Sequence, residues 1–463
     1  MSITCEYKIT EEYIMKILVL NGSPKGEYSI TLQTVEYIKA LFPEHEYTIL
    51  HVGKKIKAFE KDMTDALYAL EKAELIIFSY PVYTFIAPYQ LHRFIELIKE
   101  SGVSLEGKYA TQITTSKHFY DVTAHRYIED NCADMGLKYI RGLSADMDDL
   151  TTVKGQREAE EFFRFVIYSV QNGICEKPSA VCSPALHSEV TVPDASDGKP
   201  GDVVIVTNCT DGDLQLGAMI ERFRAIFPRA TRVVNIADYP FSGGCLGCFG
   251  CAVEGKCVYK DGFDEFLRGN IQKGEAIVYA FSIKDHSMGA SFKLYDDRQF
   301  CNGHRTVTMG MPMGYIVSGN YSEEYNLQTV IEGRAQVGGN YLAGVATDEY
   351  DPDGEIDKLA SKLCYAIENS YVPPTNFLGV GGMKIFRDLI YLMQGMMKAD
   401  HRFYKKHGQY DFPQKKRGTL IKMYLVGALI SSPKIKAKMG SSMNEGMLMP
   451  YRKVLDKVKK NGK

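Results

Sequence analysis

The chain lacks an excess of either charge: its 55 Lys and Arg are set against 57 Asp and Glu in 463 residues. No field of the whole molecule would gather nucleic acid, so no nucleic-acid partner is expected. It also lacks a long apolar run. The longest weakly charged stretch, 75–91, is broken by Pro81 and Pro88 and carries three tyrosines, which makes it a poor membrane span and a good buried strand entering a loop. The opening MSITCEYKIT has no apolar core and no small-residue cleavage site, so it does not read as a secretory signal and a cytoplasmic location is expected. With 45% apolar and 24% charged residues, the composition excludes a disordered, collagen-like or disulfide-stapled chain.

The length calls for more than one hydrophobic core. KILVL at 16–20 ends in Asn21, Gly22, Ser23 and Pro24, and a helical period follows through Ile30, Val35, Ile38 and Leu41. Further buried strands, LIIFS at 75–79 and YATQITT ending at Thr115, alternate with helical stretches, which implies a parallel sheet covered on both faces. The pattern then restarts. DVVIV at 202–206 leads through a polar loop into a helix, and QKGEAIVYAFS at 272–282 reads like EKAELIIFSY at 71–80. The interval between the two strands is about 15 residues longer in the second copy, and a cysteine-rich segment fills it. An internal duplication with one insertion accounts for this. The expected organisation is a first α/β domain over 14–174, a Pro- and Ser-rich linker over 175–200, a second over 201–372 and a helical extension over 373–463. From Lys384 onward there are 19 Lys and Arg against 5 Asp and Glu, leaving 36 against 52 before it. The basic extension is expected to dock through its apolar face, and contact with a membrane surface stays open beside that reading. Helical runs are expected near 384–398, 418–431 and 448–460.

Chemistry concentrates in loops that follow strands. GSPKGEYSIT at 22–31 offers a helix start, the hydroxyls of Ser23, Ser29 and Thr31, and the Lys25 ammonium to a single phosphate. It lacks both the Gly-x-Gly-x-x-Gly spacing for a dinucleotide and the Gly-Lys-Ser/Thr ending of a triphosphatase loop. The next loop, Ser79–Thr84, and the third, Thr114–His118, reach the same rim, where open parallel sheets bind ligands. In the second copy the corresponding loop, Thr207–Asp213, contains two carboxylates, and Ser282 and Lys284 stand where Pro81 and Tyr83 stand in the first. That copy is expected to have lost its ligand.

GSPKGEYSIT, SYPVYTFIAPYQLHRFI and TTSKHFYDVTAH resemble the phosphate loop and two ring-binding loops of flavodoxin-like NAD(P)H-dependent FMN reductases. The resemblance spans most of residues 14–150 and implies a flavodoxin-like, doubly wound parallel-sheet domain there; with the internal duplication, two such domains are expected in tandem. It also implies FMN phosphate at Ser23, Lys25, Ser29, Ile30 and Thr31, and isoalloxazine contacts at Pro81, Val82, Tyr83, Thr84, Thr115 and Ser116. Cys245, Cys248, Cys251 and Cys257, on a glycine-rich turn, have a spacing that can wrap a cuboidal cluster and resembles that of iron-sulfur flavoproteins with [4Fe-4S]. Zinc, or thiols without metal, remain alternatives. The resulting expectation is an FMN-dependent oxidoreductase that takes a hydride from NAD(P)H and passes electrons to a small-molecule or redox-protein acceptor. Its two copies would form an internal pseudo-dimer, with further oligomerisation open. Rival readings are a cluster-free quinone or flavin reductase and a non-enzymatic electron carrier or redox sensor. Asp297, Arg298, Asn302 and His304 are expected in a loop overhanging the site, and His118 and His125 as local hydrogen-bonding residues.

Overall fold

A computed structural model describes residues 13–177, 187–194, 199–431, 448–449, 451–452, 454–457 and 459–460. Parts of the expected linker and of the last helical run lie outside these residues. The remainder divides into one unit up to Phe403 and a second from Tyr404.

In the first copy, β1 (Lys16–Asn21) is buried from Ile17 onward and passes into α1 (Ile30–Leu41), whose start Ser29 caps by accepting from the Leu32 N–H. There follow β2 (Glu46–Leu50), α2 (Val52–Phe59), α3 (Thr64–Lys72), β3 (Leu75–Pro81), α4 (Tyr89–Ser101), β4 (Tyr109–Ser116), α5 (Asp121–Asp134), the short β5 (Lys138–Tyr139) and β6 (Leu143–Asp146), and α6 (Val153–Gln171). The strands pair in parallel in the order β2-β1-β3-β4-β5, with β6 also on β4. The second copy runs β7 (Val203–Thr207), α7 (Leu214–Ile226), β8 (Thr231–Asn235), two short helices α8 (Gly250–Glu254) and α9 (Phe263–Phe266), β9 (Ala276–Ser282), α10 (Gly289–Arg298), β10 (Pro312–Ser318), α11 (Tyr325–Gly338), β11 (Tyr341–Thr347) and α12 (Pro352–Asn369). Its order, β11-β10-β9-β7-β8, is the same 2-1-3-4-5 winding read from the other edge. The chain therefore contains two flavodoxin-like parallel sheets in tandem, followed by helices α13 (Phe377–Leu392), α14 (Lys398–Lys406) and α15 (Arg417–Ile430).

Each sheet has its own outer core, formed with α1 and α6 in the first copy and with α7 and α12 in the second. The inner faces share a single core that runs through Phe94, Tyr127, Phe281, Tyr295 and Leu327. Equivalent helices meet there, α4 on α10 and α5 on α11. The polar contacts repeat across the pair with swapped partners. Glu96 accepts from the Ala290 N–H at 2.7 Å, and its counterpart Asp297 accepts from the Tyr89 N–H at 2.8 Å. His92 contacts Asp285 at 2.7 Å, and the equivalent Lys293 bonds Thr84. Positive φ recurs in both loops, at Thr84 and Phe85 and again at Asp285 and His286.

Two expectations need correction. Asp297 and Arg298 lie on α10, buried, because the run from Gly289 is helical and each side chain has an ionic partner, Lys293 and Asp261 respectively. The first extension helix begins at Phe377 rather than near 384. Asn376 caps it, and Gly379 and Gly382 allow close approach to α11 and Phe119, so packing outweighs the low helix propensity of three glycines. The described part of the expected linker is docked: His187 contacts Asp348 at 2.7 Å and Arg222 donates to the Thr191 carbonyl at 2.6 Å.

Asp297→Ala leaves Lys293 buried without its closest carboxylate and should cost about 3–5 kcal/mol in urea denaturation, with Lys293→Met in the same chain recovering most of it. Burial opposes the charge of His286, yet the carboxylates of Asp134 and Glu324, at 3.0 and 2.9 Å, raise its pKa to about 10. A raised pKa stabilises the fold fully below the ordinary histidine value and ceases to do so as pH rises through about 10. Stability should decline across that window, and His286→Gln should remove this part of the decline.

Candidate functional site

The three loops expected to meet do so at the carboxyl ends of β1, β3 and β4. The phosphate-type loop is held from below. Asn21 Nδ2 donates to the Gly26 carbonyl at 2.8 Å, and Gly26 takes a φ of +58° that favours glycine. Ser23 Oγ accepts from the Lys25 N–H at 3.3 Å. Gly53 lies so close to Gly22 and Ser23 that any side chain there would strike their backbone. Thr31 and Thr115 join α1 to β4 through their hydroxyls at 2.6 Å, both buried. In the ring-type loop the Tyr83 N–H donates to the Ile86 carbonyl and the Ile86 N–H returns the bond to Tyr83, closing a tight turn. The third loop is fixed by Ser116 Oγ, which accepts from the His118 N–H at 2.8 Å.

All eleven residues assigned above to flavin line one cavity of about 230 Å³, and Cys245, Cys248, Cys251 and Cys257 line it too. The cavity wall includes Lys25, Lys117, Arg298 and His304 but no Asp or Glu. Lys117 is committed to Asp146 and Asp148, and Arg298 to Asp261 and the Gly243 carbonyl. This leaves Lys25 beside the phosphate-type loop, 6.0 Å from the ring centre of Phe249. Burial, then the neighbouring Cys245 and Asp297, pushes the Tyr83 hydroxyl well above its ordinary pKa, so it remains a neutral donor.

The cysteine segment reaches this cavity because both copies hold it. From the first copy, Lys57 donates to the Ser242 carbonyl at 2.8 Å and Gln90 to the Cys245 carbonyl at 3.4 Å. From the second, Tyr259 donates to the Gly244 carbonyl at 3.1 Å, and Asp264 accepts from the Cys257 N–H at 2.9 Å. Gly247, at φ +59°, lies directly under the Tyr83 hydroxyl. Burial is the main reason the Cys245 thiol is pushed up out of its usual range; Cys251 is raised to about 11, by burial and then by Asp400. Among the described residues, no three His, Cys, Asp or Glu side chains are grouped as a metal site, and no cysteine is in a disulfide.

Of the less specific candidates, His304 lines the cavity and contacts Asp400 at 3.0 Å. Asn302 lies beyond it, bonded to Arg268 and Gln272. His118 pairs with Asp121 at 2.7 Å, and His125 bonds Thr114 at 2.8 Å with its pKa lowered to about 4 by burial. The residues that sequence reasoning missed form the apolar side of the cavity: Phe249, Phe300 and, from α13, Ile385, Phe386 and Leu389. Phe300 meets Tyr83 edge-on at 6.1 Å, and Phe386 packs on Phe119 at 4.3 Å. In the corresponding loops of the second copy, side chains bond to one another. Ser318, the counterpart of Thr115, donates to Asp348, which also holds His187, while Thr210 and Asp213 bond each other within the phosphate-type loop.

The family profile described as a flavodoxin-like fold matches residues 15–159. No curated protein matches the chain. Similar solved structures include an FMN-dependent NADH-azoreductase from Bacillus anthracis in complex with FMN, at 14% identity over 34% of this chain and 98% of that one, TM-score 0.27. An NAD(P)H:quinone oxidoreductase from Methanothermobacter marburgensis is 10% identical over 36% of this chain and 100% of its own, TM-score 0.28. An NADPH-quinone reductase from P. pentosaceus is 16% identical over 34% and 95%, TM-score 0.25.

Because a Cβ on Gly247 would overlap the Tyr83 hydroxyl at a φ that disfavours side chains, Gly247→Ala should move the cysteine turn away from the first-copy loops. The expected result is a thermal midpoint within a few degrees of the parent and faster alkylation of Cys248 and Cys251, measured by mass spectrometry.

Proposed function

We propose that the chain is an FMN-dependent NAD(P)H oxidoreductase with one flavin site, in the first copy. The observation that carries this reading is the convergence of three first-copy loops on one cavity whose wall holds hydroxyls and Lys25 but no carboxylate. That donor set suits a phosphate monoester. Ser23, Ser29 and Thr31 would hold the phosphate with Lys25, while the backbone of Pro81–Thr84 and the hydroxyls of Thr115 and Ser116 would hold the ring edge. When bound, FMN supplies the two-electron hydride chemistry. The chain's own part is to position the ring and exclude water. Tyr83 packs edge-on against Phe300 with its hydroxyl beside Gly247 of the cysteine turn, and Phe300, Phe386 and Leu389 make part of the cavity wall apolar. The acceptor that suits such a wall is a small molecule, a class that includes the quinones named for the similar structures; transfer to a redox protein is the alternative acceptor.

The reading of Cys245, Cys248, Cys251 and Cys257 as holders of a [4Fe-4S] cluster is supported by their spacing and by their shared place on the cavity wall. Their described arrangement does not present a ligand set. Iron and sulfide contents near four per chain after anaerobic purification would uphold the cluster. Stoichiometric zinc or no metal would replace it with a structural or thiol role.

The flavin reading predicts one FMN per chain and NAD(P)H oxidation that depends on it. Replacing Ser23 and Ser29 by Asp sets two carboxylates against the phosphate and should weaken FMN binding at least 100-fold by fluorescence titration, leaving circular dichroism unchanged. Two tightly bound flavins per chain, or binding unchanged in that variant, would overturn it.

A further inference from the structure

The helix α15, Arg417–Ile430, is unlike every surface helix of the two sheet domains. Those helices bury one face. In α15, apolar side chains point to all sides and are exposed: Leu420 is 46% exposed, Ile421 61%, Met423 58%, Tyr424 81%, Leu425 62% and Leu429 56%. A helix that is apolar all round requires cover from something other than water.

Charge identifies the cover. Between Asp411 and Glu445 there is no acidic residue, while seven Lys and Arg fall in that interval, and the chain before Lys384 carries 52 acidic against 36 basic residues. Lys415, Lys416 and Arg417 stand at the N-terminal end of α15, where the exposed N–H groups already make the helix positive. In water this is an unfavourable place for three cations; beside phosphate headgroups it is a favourable one. Just ahead of them, Tyr410 and Phe412 stack with ring planes 8° apart, and the Lys415 ammonium lies over both, at 5.9 and 5.3 Å. Aromatic rings beside lysines are the side chains that settle at a lipid–water boundary. One of these charges is partly offset, since Lys416 contacts Asp411 at 3.5 Å.

Length decides between spanning and lying flat. Fourteen residues rise about 21 Å, short of the roughly 30 Å of a hydrocarbon core, and no helix among the described residues is long and apolar enough to cross a membrane. We propose that α15 is an interfacial helix that seats this chain on a phospholipid bilayer bearing anionic headgroups, with Leu425 and its neighbours in the acyl boundary and Lys415–Arg417 on the phosphates. The proposal does not depend on the flavin chemistry.

Co-sedimentation of the full chain with vesicles tests it, with protein measured by staining so that flavin content does not enter. The chain should pellet with phosphatidylcholine vesicles containing phosphatidylglycerol and remain in solution with phosphatidylcholine alone. Neutralising Lys415, Lys416 and Arg417 to Gln should weaken that binding roughly 100-fold, at about fivefold per charge. Leu425→Glu, at an exposed position where folding is not at stake, should abolish it. Equal binding to both vesicles, or none to either, overturns the proposal. So does sedimentation equilibrium showing a wild-type oligomer that Leu425→Glu dissociates, because α15 would then be covered by a second copy of the chain.

Discussion

The structure depends on a reciprocal clasp between two helices that are counterparts of each other. A carboxylate on α4 caps the start of α10 through the Ala290 N–H, and a carboxylate on α10 caps the start of α4 through the Tyr89 N–H. Asp297 is fully buried and Glu96 half-buried beside the core that the two sheets share, so a shift of either copy would expose apolar surface and leave Asp297 without its partner. The clasp also fixes the loops that precede each helix. Thr84, in the ring-type loop, bonds Asp297 of the other copy at 2.7 Å, which makes the geometry of the site a property of the pair.

An internal pair need not be symmetric, because its halves are free to diverge. The first copy keeps hydroxyls and a lysine around its phosphate-type loop. In the second, the equivalent of Thr115 is bonded within the copy, Ser318 and His187 both meeting Asp348. In the interval between its first and third strands, the second copy has instead gained the cysteine turn, and the pairing carries that turn to the first copy's cavity. Residues 185 positions apart in the chain, Lys57 and Ser242, are thereby brought within 2.8 Å.

The parallel sheets, the duplication and the three first-copy loops were legible because each rests on local signals: buried β-rich runs ending in small or polar residues, and helical periods that follow them. The four cysteines were legible by spacing. That they share a cavity with Ser23 and Tyr83 was not, since it arises from contacts such as Gln90 with Cys245 that no local pattern encodes. The apolar wall was hidden for the same reason. In sequence, Phe386 and Leu389 are two apolar residues of an amphipathic helix, and only the approach of Gly382 to Phe119 places them at the site. Asp297 and Arg298 misled by their polarity, which suggested a loop, whereas buried ionic partners keep them helical.

The proposed flavin would sit, one per chain, between the first-copy loops and the cysteine turn of the second copy. Alkylation of flavin-free, chelator-treated chain, followed residue by residue in mass spectrometry during titration with FMN, would locate it. The account predicts protection of Cys248 and Cys251 that saturates at one FMN per chain, while Cys364, away from the cavity, reacts as before. Saturation at two FMN per chain, or cavity cysteines that alkylate equally fast with flavin bound, would contradict it.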